Sequence, residues 1–108
     1  MAFKSQISAG IGDSSSETTV TPTVNAGQTA TLIGLSLANT TGSNITVSAK
    51  VNKNGGSSAF LVKNATVLPG GALAVVGGDQ KVVIEEGDSV TCYSDTSGEA
   101  DAVVSFLI

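Results

Sequence analysis

The chain has 108 residues, the size of one domain, and its charge is sparse and acidic: nine Asp and Glu against five Lys, with no Arg and no His. A phosphate-binding surface wants clustered Lys and Arg, so the scattered Lys4, Lys50, Lys53, Lys63 and Lys81 argue against nucleic-acid binding. One cysteine, Cys92, excludes an internal disulfide, and without His it lacks the partner a nucleophilic thiol needs.

A chain of this length buries roughly two thirds of the surface it exposes when unfolded, enough for a single core. That core must be aliphatic, because the chain has no Trp, one Tyr (Tyr93) and three Phe (Phe3, Phe60, Phe106). Ser and Thr make up about a quarter of the residues. Abundant Thr and Val favour strands and abundant Gly favours turns. A thin core makes oligomerisation an expected further source of stability. No run reaches the roughly 20 apolar residues of a membrane span, and MAFKSQISAG lacks the apolar run of a secretory signal. These features predict a protein of the cytoplasm, or one released from it by lysis, with no membrane partner.

Met1–Ser16 reads as an arm outside the folded domain. Phe3, Ile7 and Ile11 are spaced four apart, as on a helical turn, but Gly10, Gly12 and Ser14-Ser15-Ser16 argue against a lasting helix. Two readings stand: a frayed terminus, or an arm whose apolar anchors lie on a neighbouring subunit.

Residues 17–108 read as the domain. Glu17–Val24 is a first strand, placed at an edge or broken by Pro22, which has no N–H to donate. After the turn Asn25-Ala26-Gly27, Gln28–Asn39 is a long strand with Ile33, Leu35 and Leu37 on one face and Leu32, Gly34 and Ser36 on the other; Gly34 marks a bulge or a close approach. Asn44–Lys53 alternates cleanly, with Ile45, Val47, Ala49 and Val51 inward and Thr46, Ser48, Lys50 and Asn52 toward solvent. Asn54-Gly55-Gly56 is a hairpin signal into the strand Ser58–Lys63. Asn64–Gly71 reads as a connector between sheets.

Leu73–Cys92 is the stretch around which the chain is organised: strand, turn at Gly77-Gly78-Asp79, strand, turn at Glu85-Glu86-Gly87-Asp88, strand, a three-stranded meander. Its last strand places Val90 and Cys92 on one face, so Cys92 is a core residue. In the final strand Ala100, Ala102, Val104 and Phe106 alternate with Asp101, Val103, Ser105 and Leu107, and the apolar ending Phe106-Leu107-Ile108 predicts a packed subunit contact. About eight strands at this spacing predict an all-β antiparallel sandwich, a jelly roll or an immunoglobulin-like Greek key.

The residues carry no catalytic signature. Glu85, Glu86 and Asp88, with Asp79, are too few oxygen ligands in too undefined a loop for calcium and read as a solvated turn. Gly77-Gly78-Asp79 opens no helix and is not a phosphate loop. Asn39, Asn44 and Asn64 begin Asn-x-Thr sequons, expected by chance in so Thr-rich a chain. No metal, cofactor or catalytic residue is expected. Loops such as Asn54–Ser57 and Asp95–Gly98 leave open a glycan-binding module.

The phrases "LVKNA", "GGDQK" and "EEGDSV", with ATLIGLSLANTTGSNITVSAKV before them, make the stretch from about Thr18 to Ile108 resemble small virion structural proteins of tailed bacteriophages, notably those infecting cyanobacteria and other marine bacteria. The resemblance implies a non-enzymatic virion component assembled in the host cytoplasm. Its expected role is a capsid decoration or cement subunit, homo-oligomeric and bound to other virion proteins such as the major capsid protein. A neck or tail component (fibre or baseplate) is the competing role. The expected interface residues are Phe3, Ile7, Ile11, Phe106, Leu107 and Ile108.

Overall fold

The computed structural model describes residues 2–108 and is all-β: nine strands in two antiparallel sheets packed face to face. The strands are β1 (Phe3–Ser8), β2 (Thr18–Thr19), β3 (Thr29–Asn39), β4 (Ile45–Asn52), β5 (Ser58–Val67), β6 (Ala72–Val76), β7 (Val82–Glu85), β8 (Ser89–Ser94) and β9 (Ala100–Leu107). One sheet runs β1-β9-β3-β6, with β7 also on β3; the other runs β2-β8-β4-β5. The pairing is nested. β1 joins β9, β2 joins β8, β3 joins β6 and β7, and β4 joins β5. One long hairpin rolled into two layers gives this order, which makes the sandwich a jelly roll rather than an immunoglobulin-like Greek key.

The core lies between the sheets. Leu32, Leu35, Leu37, Ile84, Val104 and Phe106 face it from the first sheet, and Ile45, Val47, Ala49, Val90 and Cys92 from the second. The inward sets of β4 and β9 follow the alternation read from sequence, because a strand's period of two leaves no other register once one face is covered. Ser48 of β4, expected toward solvent, is buried instead, its hydroxyl accepting from the Asn64 amide of the neighbouring bulged strand at 2.9 Å. In β3 the register against β9 shifts between Leu32 and Gly34, as the glycine foretold. The bulge reverses parity, so Leu32 and Leu35 both point inward and Ile33 does not join the Leu35 and Leu37 face.

Three expectations are corrected. Leu73–Cys92 is not a meander: β6 and β7 pair with successive halves of β3, not with each other, and β8 belongs to the opposite sheet. Turn chemistry at Gly77-Gly78 permits a reversal, but β3 is long enough to hold both short strands end to end. Residues 64–67 are not a connector. β5 runs on to Val67 through bulges, with Asn64 at φ 52°, a left-handed conformation that Asn tolerates better than other L-residues. The crossing between sheets is confined to 68–71. Glu17–Val24 holds only a two-residue strand, since Pro22 and the buried Val20 and Val24 turn the chain under the sandwich.

The fourth correction concerns the N-terminal segment. Residues 3–8 form the ninth strand, β1, on the edge of β9, and Ile11 is fully buried. The apolar spacing of four masked a strand in which Phe3, Ser5 and Ile7 share one face. The Ile11 amide donates to the Ala100 carbonyl (2.8 Å), its carbonyl accepts from Gly98 (2.9 Å), and the Gly12 carbonyl accepts from Ser94 (2.9 Å). This segment therefore closes one end of the sandwich by bonding to both sheets. A Cβ on Gly12 would sit 1.8 Å from the Ser16 carbonyl oxygen, so no side chain fits there.

Candidate assembly surface

The outer face of the first sheet is built from β1, β9, β3 and β7. Across it the registers align Phe3 with Leu107, Leu107 with Thr31, and Thr31 with Val83 in one row; a second row carries Ile7, Val103, Ser36 and Ala74. Phe3 is 74% exposed, Ile7 73%, Val83 54% and Val103 44%. Phe3 and Ile7 stand in water on β1, where the sheet ends, and Val83 stands in water on β7 at the sheet's other side. The two rows are separated by a polar one, Ser5 beside Ser105, and exposed apolar side chains gathered on one face in this way mark an interaction surface more often than a lone exposed residue does.

The six expected interface residues divide on this frame. Phe3, Ile7 and Leu107 lie on the outer face. Ile11 and Phe106 are in the core (0% and 3% exposed), where their own fold covers them and no neighbour can reach them. Ile108 is half-buried against the core, and its backbone exchanges hydrogen bonds with Ala2 (2.6 and 3.0 Å). Sequence reasoning missed Val83 and Val103. Their outward positions in β7 and β9 were legible from alternation, but their common face required knowing that both strands flank β3.

The second sheet's outer face is different in kind. Lys50, Asn52, Ser89, Thr91 and Tyr93 project from it, and the Phe60 ring stands edge-on to Tyr93 with centroids 6.5 Å apart. Lys63 and Lys50 lie 5.1 and 5.8 Å from the Phe60 centroid. Lys50 also pairs with Glu17 at 3.0 Å, and that bond, aided by the Thr91 hydroxyl, lowers the Glu17 carboxyl from its ordinary value. The aromatic pair was not foreseen, because Phe60 and Tyr93 come from strands that sequence does not place on either side of β4.

The loops Asn54–Ser57 and Asp95–Gly98 do not form one site. Asn52 pairs with Ser89 at one end of β8 and Val47 with Ser94 at the other, so the loops lie at opposite ends, roughly 20 Å apart along a six-residue strand.

Nor is the Glu85–Asp88 turn simply solvated. Asp88 is 6% exposed; it receives the Asn54 and Glu85 amides at 2.8 and 2.9 Å and the Lys53 ammonium at 2.5 Å. These donors, Lys53 foremost, hold its carboxyl down at about 2. Asp88 thus clasps the β4–β5 hairpin to the β7–β8 turn. Cys92 is fully buried, and burial, reinforced by the Glu17 charge, pushes its thiol up to about 12, so it stays a neutral core residue at neutral pH. Among the described residues no three His, Cys, Asp or Glu gather in a group able to hold a metal ion.

Comparison with protein-family models and with curated proteins finds no match to this chain.

Proposed function

We propose that this chain is a non-enzymatic structural protein of a tailed-phage virion, acting by surface contact as a capsid decoration or cement subunit. The observation that carries the reading is the apolar outer face of the first sheet, where Phe3 and Ile7 are about three-quarters exposed. Covering such side chains is worth roughly 1.5–3 kcal/mol each, so the face gains when a macromolecule lies on it. A flat sheet suits a protein surface; small ligands are held in concavities. The virion setting rests on the resemblance of the "LVKNA", "GGDQK" and "EEGDSV" phrases. The jelly roll is common to viral capsid and lectin domains, so it supports this setting without deciding it.

In this role the subunit is homo-oligomeric, contacts the major capsid protein, and resides in the virion assembled in the host cytoplasm. A neck or tail role would use the same face within a ring. One observation favours a reading of another class: the exposed Phe60 ring beside Tyr93 on a polar sheet face could stack on a glycan.

The test is co-sedimentation of the purified chain with isolated capsids of the phage that encodes it, with mass spectrometry of the intact particles. The expected result is a stoichiometric capsid-bound fraction that Phe3→Asp removes. A chain that is absent from the particles and ignores capsids would refute the virion role. A glycan array bound by the wild type and lost in Phe60→Ala would establish the other reading.

A further inference from the structure

We infer that two copies of the chain pair through β1, antiparallel, about a twofold axis at Ser5, extending the first sheet across both molecules.

The inference begins with hydrogen bonds that β1 leaves unmade. Ala2 and Ile108 exchange both backbone bonds. Antiparallel pairing alternates, so Lys4, Gln6 and Ser8 also bond to β9, while the N–H and C=O groups of Phe3, Ser5 and Ile7 point away from it. Those groups face open solvent, because β1 ends its sheet. The other edges are blunted. β2 has two residues and leads into Pro22; β5 carries bulges, with Asn64 at φ 52°; β6 and β7 are separated by the loop 77–81. Among the described residues β1 alone offers an edge of six residues with no bulge, proline or break. Gln6 steadies it from the inner side by donating its side-chain amide to the Val20 carbonyl at 3.1 Å.

The edge is self-complementary. With the axis at Ser5, the free groups of Phe3 meet those of Ile7 in the second copy, and Ser5 meets Ser5. Each pair can exchange both bonds. On the outer face the Phe3 ring lies opposite Ile7, an aromatic–aliphatic cross-strand pair at each end of the joint. On the inner face Lys4 lies opposite Gln6, not opposite a second Lys4, so no like charges oppose each other directly. A one-residue slip in register would put bonded groups opposite free ones and break every bond. The occupant is therefore a second copy, an isologous partner. Pairing also joins the two outer faces into one strip, in which Leu107 and Phe3 of each copy run on into Ile7 and Val103 of the other, with the serines Ser5 and Ser105 between the two apolar rows. The pairing deepens the assembly reading, but its geometry does not depend on what that strip binds.

The test uses the full chain. Light scattering is expected to give twice the 10.6 kDa mass for the wild type and the single mass for Ile7→Lys, with circular dichroism showing that the variant is folded. Ser5→Pro removes a free donor without touching a bond to β9 and is a second variant with the same expected loss. Register is read by cysteine oxidation, since buried Cys92 does not compete. Ser5→Cys places the two thiols across the axis, with Cα atoms about 5.5 Å apart, within disulfide span. Ser8→Cys places them roughly 20 Å apart. Covalent dimer is expected at least tenfold faster from Ser5→Cys. A wild type that stays at the single mass, oxidation at equal rates, or an oligomer that persists in both Ile7→Lys and Ser5→Pro would overturn the pairing. Capsid binding by a chain that does not pair through β1 overturns the pairing and leaves the virion role standing. A β1 dimer that ignores capsids supports the pairing and counts against that role.

Discussion

Replacing Ile11 by Ala should destabilise the fold far more than the same change at Ile7, four residues earlier. Ile11 is fully buried and its backbone is bonded on both sides, to Ala100 and Gly98. The site cannot collapse easily, because the backbone is tied on both sides of the side chain and the next residue's carbonyl, that of Gly12, is bonded to Ser94. Truncating a buried Ile to Ala costs about 2–5 kcal/mol, and clamping puts Ile11→Ala in the upper half of that range. A domain of this size has roughly 5–15 kcal/mol in all. The urea midpoint should fall by more than ~1 M, and Tm by more than ~10 °C. Ile7 is 73% exposed, so Ile7→Ala should stay within about 0.5 kcal/mol of the wild type when measured on monomer. Equilibrium urea unfolding of both variants decides the matter. Equal losses, or an Ile11→Ala protein as stable as the wild type, would refute the claim that the N-terminal segment is part of the core.

Other consequences follow from buried polar groups. Asn39 is 2% exposed; its amide donates to the Ser43 and Val67 carbonyls (2.7 and 3.0 Å) and its oxygen accepts from the Thr41 amide (2.8 Å), so Asn39→Ala should cost about 1–3 kcal/mol by thermal unfolding through stranded backbone groups. Asp88 titrates near 2 in the fold against about 4 unfolded, so its contribution is complete above pH 4 and is lost as pH falls toward 2. Urea titrations from pH 5 to pH 2 should lose part of their acid sensitivity in Asp88→Asn, with the lowered Glu17 carboxyl supplying a further part that this variant keeps. Glu99 moves the other way: burial, then the neighbouring Asp95, raise its carboxyl, and one of its oxygens is buried without a partner. Its folded form favours the proton, so Glu99→Gln should raise Tm at pH 7 and leave it nearly unchanged at pH 4.

Whether a residue faces in or out was legible where a strand is regular. Ile45, Val47 and Ala49 in β4, and Ala100 to Phe106 in β9, announce their core face by a period of two, and Asn54-Gly55-Gly56 announces its hairpin. The all-β class follows from the same local chemistry, since β-branched residues and turn glycines act within a few positions of themselves. Strand partners are another matter. That β6 and β7 share β3, that β8 crosses to the other sheet, and that β1 lies on β9 depend on groups up to a hundred residues apart, which local pattern does not rank. For the same reason the apolar face was half visible. Phe3, Ile7 and Leu107 stand out as apolar residues near the ends of the chain, yet so do Ile11 and Phe106, which the structure buries. The sequence by itself determined an aliphatic, antiparallel sandwich of about eight strands and most of its inward faces. Only the tertiary structure decided which apolar residues remain on the surface, because burial depends on which strand arrives to cover them.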